Sequence, residues 1–416
     1  MRRERGTRRP APGGGAPRPR RGGGREARRA RAVARLVMAA ALILLAGCWD
    51  ARDVEDRALV VGLGLDRERN GQLVVSLEVT VPRGTSARPG ITGNQPGQRG
   101  NQGAAEPKVV LTGRGRTVHE ALAQIRDGVR FDLFLGHVRV VVVGADLARA
   151  GLQQQLEMLV QNPEIRRLIP LAVVEGRARD YLLSPVTQDA TAALYLSQML
   201  DDLVRTGRAP NVDLSRFLTD VSEPGVDPIV SVLARAAGTE GGLEWAGLGI
   251  FRDDRLLQVV PPPRAWYLMW AAGSSRRTTV FVPLRETVSG GLILDIFHVE
   301  SRLHLDGGPA GRRAVIRLLL EGRVAEHGTG GIDLTQTATM HRIQARTQAD
   351  LQRQVQEAVA AVRRLGADPF GIGRALRVAE PVLWRRPAAA TSREAARVPA
   401  TVQVLLRIRR TGLTIR

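Results

Sequence analysis

Leu59-Val60-Val61-Gly62-Leu63-Gly64-Leu65-Asp66, then Asn70-Gly71, then Leu73-Val74-Val75-Ser76-Leu77-Glu78-Val79-Thr80-Val81: this stretch decides the fold class. Two runs rich in valine and leucine flank an Asn-Gly pair. That pair favours a tight type I′ turn, which needs positive φ at both central residues, so the stretch predicts a β-hairpin. Gly62 and Gly64 have the spacing of the first two glycines of a dinucleotide loop. The third position holds Arg67, and a turn rather than a helix follows the strand, so nucleotide binding is not expected here.

Downstream, strands and helices alternate. Residues 83–107 are rich in Gly, Pro, Gln, Asn and Arg with no apolar period, the composition of a mobile loop. A strand at 109–112 resumes the domain. Thr117 and Glu120 have capping-box spacing, and Val118, Leu122 and Ile125 share one face of the helix that follows, which stops near Gly128. Residues 138–143 form a nearly unbroken apolar run, the mark of a strand buried on both faces. A helix over 147–159 and a strand over 169–174 complete a pattern that implies a mixed sheet with packed helices. Residues 181–203 read as helical. A second hairpin is expected from 243–251 and 256–260, turning at Asp253-Asp254. Trp266, Tyr267 and Trp270 share a short helical turn, read as core packing rather than a membrane-facing patch.

From about residue 278 the chain becomes strand rich. Leu351, Val355, Val359 and Val362 recur at helical spacing, and Gly366 is placed to end that helix. Val402, Val404, Leu406 and Ile408 line one face of a last strand. The final third therefore reads as an antiparallel sheet with one long helix. The whole implies an α+β protein of three domains, with mixed and antiparallel sheets: residues 48–200, 201–277 and 278–416 after a leader at 1–47.

The leader has its own logic. Residues 1–35 hold thirteen arginines and two glutamates and are too polar to fold. The apolar run 36–46 is 11 residues long, short of the roughly 20 that a spanning helix needs. Upstream arginines, an apolar core and small residues at the cut describe a secretory signal. Leu45-Ala46-Gly47-Cys48 also resembles a bacterial lipobox, in which the cysteine takes a diacylglycerol and becomes the new N-terminus. Cys48 is the single cysteine, so lipidation is preferred over a plain secretory signal, and an intrachain disulfide is impossible.

The formal net charge is +20, but +11 of it lies in residues 1–35, leaving +9 for residues 48–416. Lys108 is the only lysine. This distribution argues against nucleic-acid binding and is compatible with anionic lipid or acidic partners. No HExxH, Gly-x-Ser-x-Gly, Walker A or Ser-x-x-Lys pattern is present. His298 and His304 would stand about 20 Å apart along a strand, too far to share a metal. His137 reads as a structural histidine, and Asp53, Glu55 and Asp56 as a solvated charge run. No catalytic residue, metal site or non-covalent cofactor is expected.

Several stretches together resemble one family. Gly47-Cys48-Trp49-Asp50 with the charged residues after it is similar to the mature start of Ger(x)C spore germination lipoproteins. Val61-Gly62-Leu63-Gly64-Leu65-Asp66, Gly136-His137-Val138-Arg139-Val140 and Asn162-Pro163-Glu164-Ile165-Arg166 continue the likeness. So do Gly247-Leu248-Gly249-Ile250-Phe251, Gly366-Ala367-Asp368-Pro369-Phe370-Gly371 and Arg407-Ile408-Arg409-Arg410-Thr411-Gly412. The resemblance implies the C subunit of a nutrient germinant receptor. Such a subunit is held by lipid on Cys48 (diacylglycerol with an N-acyl chain such as palmitate) to the outer face of the spore inner membrane. It would partner membrane-embedded A and B subunits and act as a non-catalytic scaffold or coupling component. The alternative is a substrate-binding lipoprotein of a nutrient uptake system, which needs two similar lobes around a cleft.

Overall fold

The computed structural model describes residues 24–45, 57–80, 108–186, 189–236, 242–275, 277–283, 291–308, 311–327, 336–381 and 392–409. Cys48, the acidic residues 53–56, the expected mobile loop 83–107 and the end of the last family motif at 410–412 lie outside the described residues. The chain divides into two compact units, Met1–Val54 and Glu55–Arg416.

The first unit contains helix α1 (Gly24–Leu45). Composition predicts that residues 1–35 do not fold, yet α1 begins well inside them. Residues 25–35 are mostly Arg and Ala, with no Gly or Pro, and both residue types favour a helix. Among the described residues no helix is long and apolar enough to cross a membrane.

The second unit starts with β1 (Arg57–Arg67), β2 (Leu73–Thr80), β3 (Lys108–Gly115), α2 (Val118–Asp127), β4 (Asp132–Phe134) and β5 (Val140–Gly144). It continues with α3 (Ala145–Ala150), α4 (Gln153–Gln161), β6 (Leu171–Val174), α5 (Ala178–Leu182), α6 (Ala192–Arg205), α7 (Leu214–Ser222), β7 (Ile229–Arg235), β8 (Leu243–Arg252) and β9 (Arg255–Val260). These strands make one nine-stranded mixed sheet in the order β3-β2-β1-β5-β6-β7-β8-β9, with β4 also on β1. Its centre, β1-β5-β6-β7, is parallel. An antiparallel pair closes each side. All four valines of β5 are fully buried, as a strand covered on both faces requires. Val141 and Val143 join a core with α2, α3, α4 and α7. Val140 and Val142 join a second core, with α5 and α6.

That second core runs on into the last elements. These are α8 (Arg264–Ala271), β10 (Thr278–Pro283), β11 (Gly291–Asp306), β12 (Arg313–His327), α9 (Thr337–Arg364), α10 (Ile372–Ala379), α11 (Ser392–Arg397) and β13 (Ala400–Ile408). The four strands form a separate sheet, β10-β11-β12-β13. Tyr267 and Trp270 of α8 are buried in this core, in edge-to-face contact at 5.4 Å between ring centres, as the packing expectation holds.

Several local expectations need correction. The β1–β2 hairpin forms, but not around a type I′ turn. The Gly71 N–H closes a turn onto the Glu68 carbonyl, only Gly71 takes positive φ (87°), and the Asn70 side chain accepts from the Gln72 N–H at 2.9 Å. In the capping box, Thr117 accepts from the Glu120 N–H, but Glu120 reaches back to the Arg116 N–H rather than to that of Thr117. The helix expected over 147–159 is two helices, broken at Gly151 (φ 122°). Asp254 from the β8–β9 turn fills the break. Its carboxylate accepts from the Gln153 N–H at 3.0 Å, and it lies where a side chain on residue 151 would go. The helical stretch over 181–203 is likewise split, because Pro185 disfavours helical backbone at Ser184. Strand β7 and helix α7 were not foreseen.

The last sheet is not wholly antiparallel, since β13 runs parallel to β12. A parallel return needs a long crossover, which α9, α10 and α11 supply. This leaves β13 at an edge, where unpaired N–H groups invite foreign strands. Helix α9 seals it. Gln344, Gln348, Gln352 and Gln356, one turn apart, accept from the N–H groups of Ile408, Leu406, Val404 and Val402 at 3.0, 3.0, 3.2 and 2.7 Å. Ile343, Leu351, Val355 and Val359 bury the adjoining face. Replacing Gln348 and Gln352 together by leucine orphans two strand N–H groups and is expected to cost about 1–3 kcal/mol. Urea unfolding reads that loss, and sedimentation velocity reads the self-association that a bared edge promotes.

Candidate functional site

The opening glycines of β1 serve helix packing. A Cβ on Gly62 would lie 2.6 Å from the Ala193 Cβ, and one on Gly64 would press Leu182 and Ala178. Helices α5 and α6 therefore sit directly on the strand. Carboxylates from the sheet cap both helices. Asp66 accepts from the N–H groups of Ala178 and Arg179 at 2.7 and 3.0 Å. Glu78 accepts from those of Ala192 and Ala193 at 2.9 and 2.6 Å. Burial pushes both carboxyls above their ordinary range, and the backbone N–H groups oppose it.

A second pair of buried carboxylates joins the nine-stranded sheet to the segment after α9. Asp227 precedes β7, and Asp368 precedes α10. The Asp368 N–H donates to the Asp227 carboxylate at 2.6 Å, and the Asp227 N–H donates to the Asp368 carbonyl at 3.0 Å. The other Asp227 oxygen accepts from the Asp253 N–H at 2.8 Å. Asp368 turns its own carboxylate inward, to the N–H groups of Gly373 at 2.7 Å and Phe370 at 3.3 Å. A Cβ on Gly373 would meet the Gly225 Cα at 2.6 Å, so the two backbones touch. Around the clasp, Arg377 pairs with Glu223 at 2.9 Å, and Arg252 donates to the Leu365 carbonyl at 3.2 Å. Burial, with the Asp227 carboxylate adding to it against the backbone N–H groups, pushes Asp368 up to about 6.

Beside the clasp lies a cleft of about 690 Å³. Its walls come from the end of α6, from α7, from the turn after α8, from β11 and from residues 369–374. Arg205, Arg216, Arg277 and Arg374 line it, with Asp220, Asp227, Phe297 and Phe370. Asp220 pairs with Arg216 at 2.9 Å; burial raises its carboxyl and the guanidinium opposes the shift.

Cys48, the expected lipidation site, lies outside the described residues. His298 and His304 are exposed on β11, and His137 is exposed with its ring edge-on to Phe134 at 5.6 Å. Among the described residues no group of three or more His, Cys, Asp or Glu is placed to hold a metal. Two of the family-like stretches do meet. Glu164 accepts from the Leu135 N–H at 2.9 Å, and Arg166 donates to the Gly136 carbonyl at 3.2 Å. Sequence reasoning missed Asp227 and Asp368 as partners. Their shared signal is an Asp-Pro dipeptide, Asp227-Pro228 and Asp368-Pro369, which marks a turn.

Comparison with known proteins now places the chain. The family described as "Spore germination protein N-terminal domain" matches residues 50–235. "Spore germination B3/ GerAC like, C-terminal" matches residues 246–412. YfkR of Bacillus subtilis is 25% identical over 334 residues, covering 79% of this chain and 83% of that protein. Spore germination protein KC of Bacillus subtilis is 21% identical over 400 residues, covering 91% and 95%. The crystal structure of the GerBC protein shares the fold, with a TM-score of 0.52 and 14% identity over 83% of this chain and 96% of that one.

The stability that the clasp contributes depends on pH. Asp368 holds its proton up to about pH 6 when folded, whereas its ordinary value is 3.8. Between those values the unfolded chain has released a proton that the folded chain keeps, so this group's contribution is complete below the lower value and is lost as pH rises through the upper one. Asp368→Asn presents an amide N–H to backbone donors and is expected to cost about 1–3 kcal/mol at low pH. In urea unfolding, the gap between wild type and variant is expected to narrow from about pH 4 to about pH 7.

Proposed function

The chain belongs to the Ger(x)C family of spore germination proteins, and from that membership we propose that it is the lipid-anchored C subunit of a nutrient germinant receptor. The observation that carries this reading is the likeness over nearly the full length of both chains to spore germination protein KC. In the proposed complex it stands on the extracytoplasmic face of the spore membrane beside A and B membrane subunits. It acts as a scaffold or coupling element without catalysis.

The chemistry of attachment follows from Cys48. Burial of an acyl chain contributes about 0.8 kcal/mol per CH₂, and one chain gives only reversible binding. The two chains of a diacylglyceryl thioether make residence stable. The described fold suits a coupling role, because elements of its two sheets share a core and the buried Asp227–Asp368 contact ties the nine-stranded sheet to the segment after α9. The uptake-lipoprotein alternative needs two similar lobes. Sheets of nine and four strands with different orders do not form such a pair.

The test uses spores lacking other nutrient receptors, with Cys48→Ala in the only copy of this gene. Nutrient-triggered loss of optical density is expected to slow severalfold while the chain is still made. An unchanged rate overturns the lipid-anchored reading.

A further inference from the structure

The cleft beside the clasp has the size and lining of a small-molecule site. Its volume of about 690 Å³ falls within the ~300–1,000 Å³ of ligand pockets. Its aromatic wall is a consequence of strand irregularity. In β11, Ile296 pairs with Gly322 and His298 with Glu321, so Phe297 between them is the extra residue of a β-bulge. A bulge frees a side chain from strict in-and-out alternation and re-aims it. Phe297 lines the cleft, and Phe370 from the clasp lines it as well.

The charges are unequal in their commitments. Arg216 is neutralised by Asp220 at 2.9 Å. Arg205 reaches Asp202 at 2.8 Å, and Arg374 holds Glu223 at 3.5 Å while Glu223 makes its shorter contact with Arg377. The Arg277 side chain is exposed and has no ion-pair or hydrogen-bond partner among the described residues. Once the partners Asp202, Asp220 and Glu223 are counted, Arg277 is the one lining guanidinium, among the described residues, left without a carboxylate of its own. We propose that this cleft binds a small organic carboxylate with a flat apolar body, the carboxylate met by Arg277 and Arg374 and the body by Phe297 and Phe370. A singly charged group suits the site better than a doubly charged phosphate, because Asp220 and Asp227 repel extra negative charge. Guanidinium forks hold carboxylates through charge-assisted hydrogen bonds, and an aromatic wall adds contact area at little entropic cost.

The inference goes beyond the receptor reading and is tested apart from it, since binding in vitro requires neither germination nor Cys48. The purified full chain is titrated calorimetrically with benzoate, with benzyl alcohol and with inorganic phosphate. Benzoate is expected to bind at least about tenfold more tightly than either, and Arg277→Gln and Phe297→Ala each to weaken it by about tenfold. Arg317→Gln on β12, away from the cleft lining, is expected to leave it unchanged. Benzoate is also expected to raise the urea midpoint of wild type but not of Arg277→Gln, which separates lost binding from lost folding. No saturable benzoate binding up to roughly 10 mM, equal affinity for phosphate, or equal loss in Arg317→Gln overturns the proposal.

Discussion

A carboxylate taken out of water must find its hydrogen bonds inside the protein, and in this fold it finds them on the backbone of distant segments. Asp66, Glu78 and Asp227 are buried and accept backbone N–H groups from distant segments, and buried Asp368 accepts from Phe370 and Gly373 close by. The segments they join lie far apart in sequence: 112 residues from Asp66 to Ala178, 114 from Glu78 to Ala192 and 141 from Asp227 to Asp368. A hydrogen bond to a charged group contributes about 1.5–3 kcal/mol, whereas a buried carboxylate left unpaired costs more than that. The chain has one cysteine, so no disulfide does this work, and 4% aromatics, so few large side chains fill gaps. Fixed polar staples on a Val, Leu and Ala core set where α5, α6 and α10 begin.

The same economy governs sheet edges and helix contact. Gly62 and Gly64 let α5 and α6 approach the strand closely enough for Asp66 and Glu78 to reach the helix starts. Bulkier residues there would lift the helices and leave both carboxylates unsatisfied, so the glycines and the acids form one device. At β13 polar side chains again complete a backbone, with four glutamines of α9 doing for strand N–H groups what a neighbouring strand would do.

What was legible in the sequence was periodicity. The valines of β5, the hairpin around Asn70-Gly71 and the apolar face of α9 announce themselves by local pattern, because burial on one or both faces dictates residue type at fixed spacing. Strand direction is not local. The alternation in 402–408 fixes which face is buried but is the same read parallel or antiparallel, so the parallel pairing with β12 was hidden. The break at Gly151 depends on Asp254, 101 residues from its acceptor-bound neighbour Gln153. The clasp was the least legible feature. Asp368 sits inside a family-like stretch whose residues were noted, yet nothing near it names Asp227. The cleft was equally hidden, since Phe297 looks like any strand residue until the register shows a bulge.

Clasp and cleft are built from the same short segments. Asp227 lines the cleft and receives the Asp368 N–H; Phe370 lines it and donates to the Asp368 carboxylate. Coupling between sites is reciprocal by thermodynamic necessity. An occupant that favours the Asp227–Asp368 contact tightens the junction between the nine-stranded sheet and the segment after α9 by the free energy of that preference, and anything that strains the junction weakens the occupant by the same amount. The backbones at Gly225 and Gly373 already touch, so this junction has little room to yield gradually.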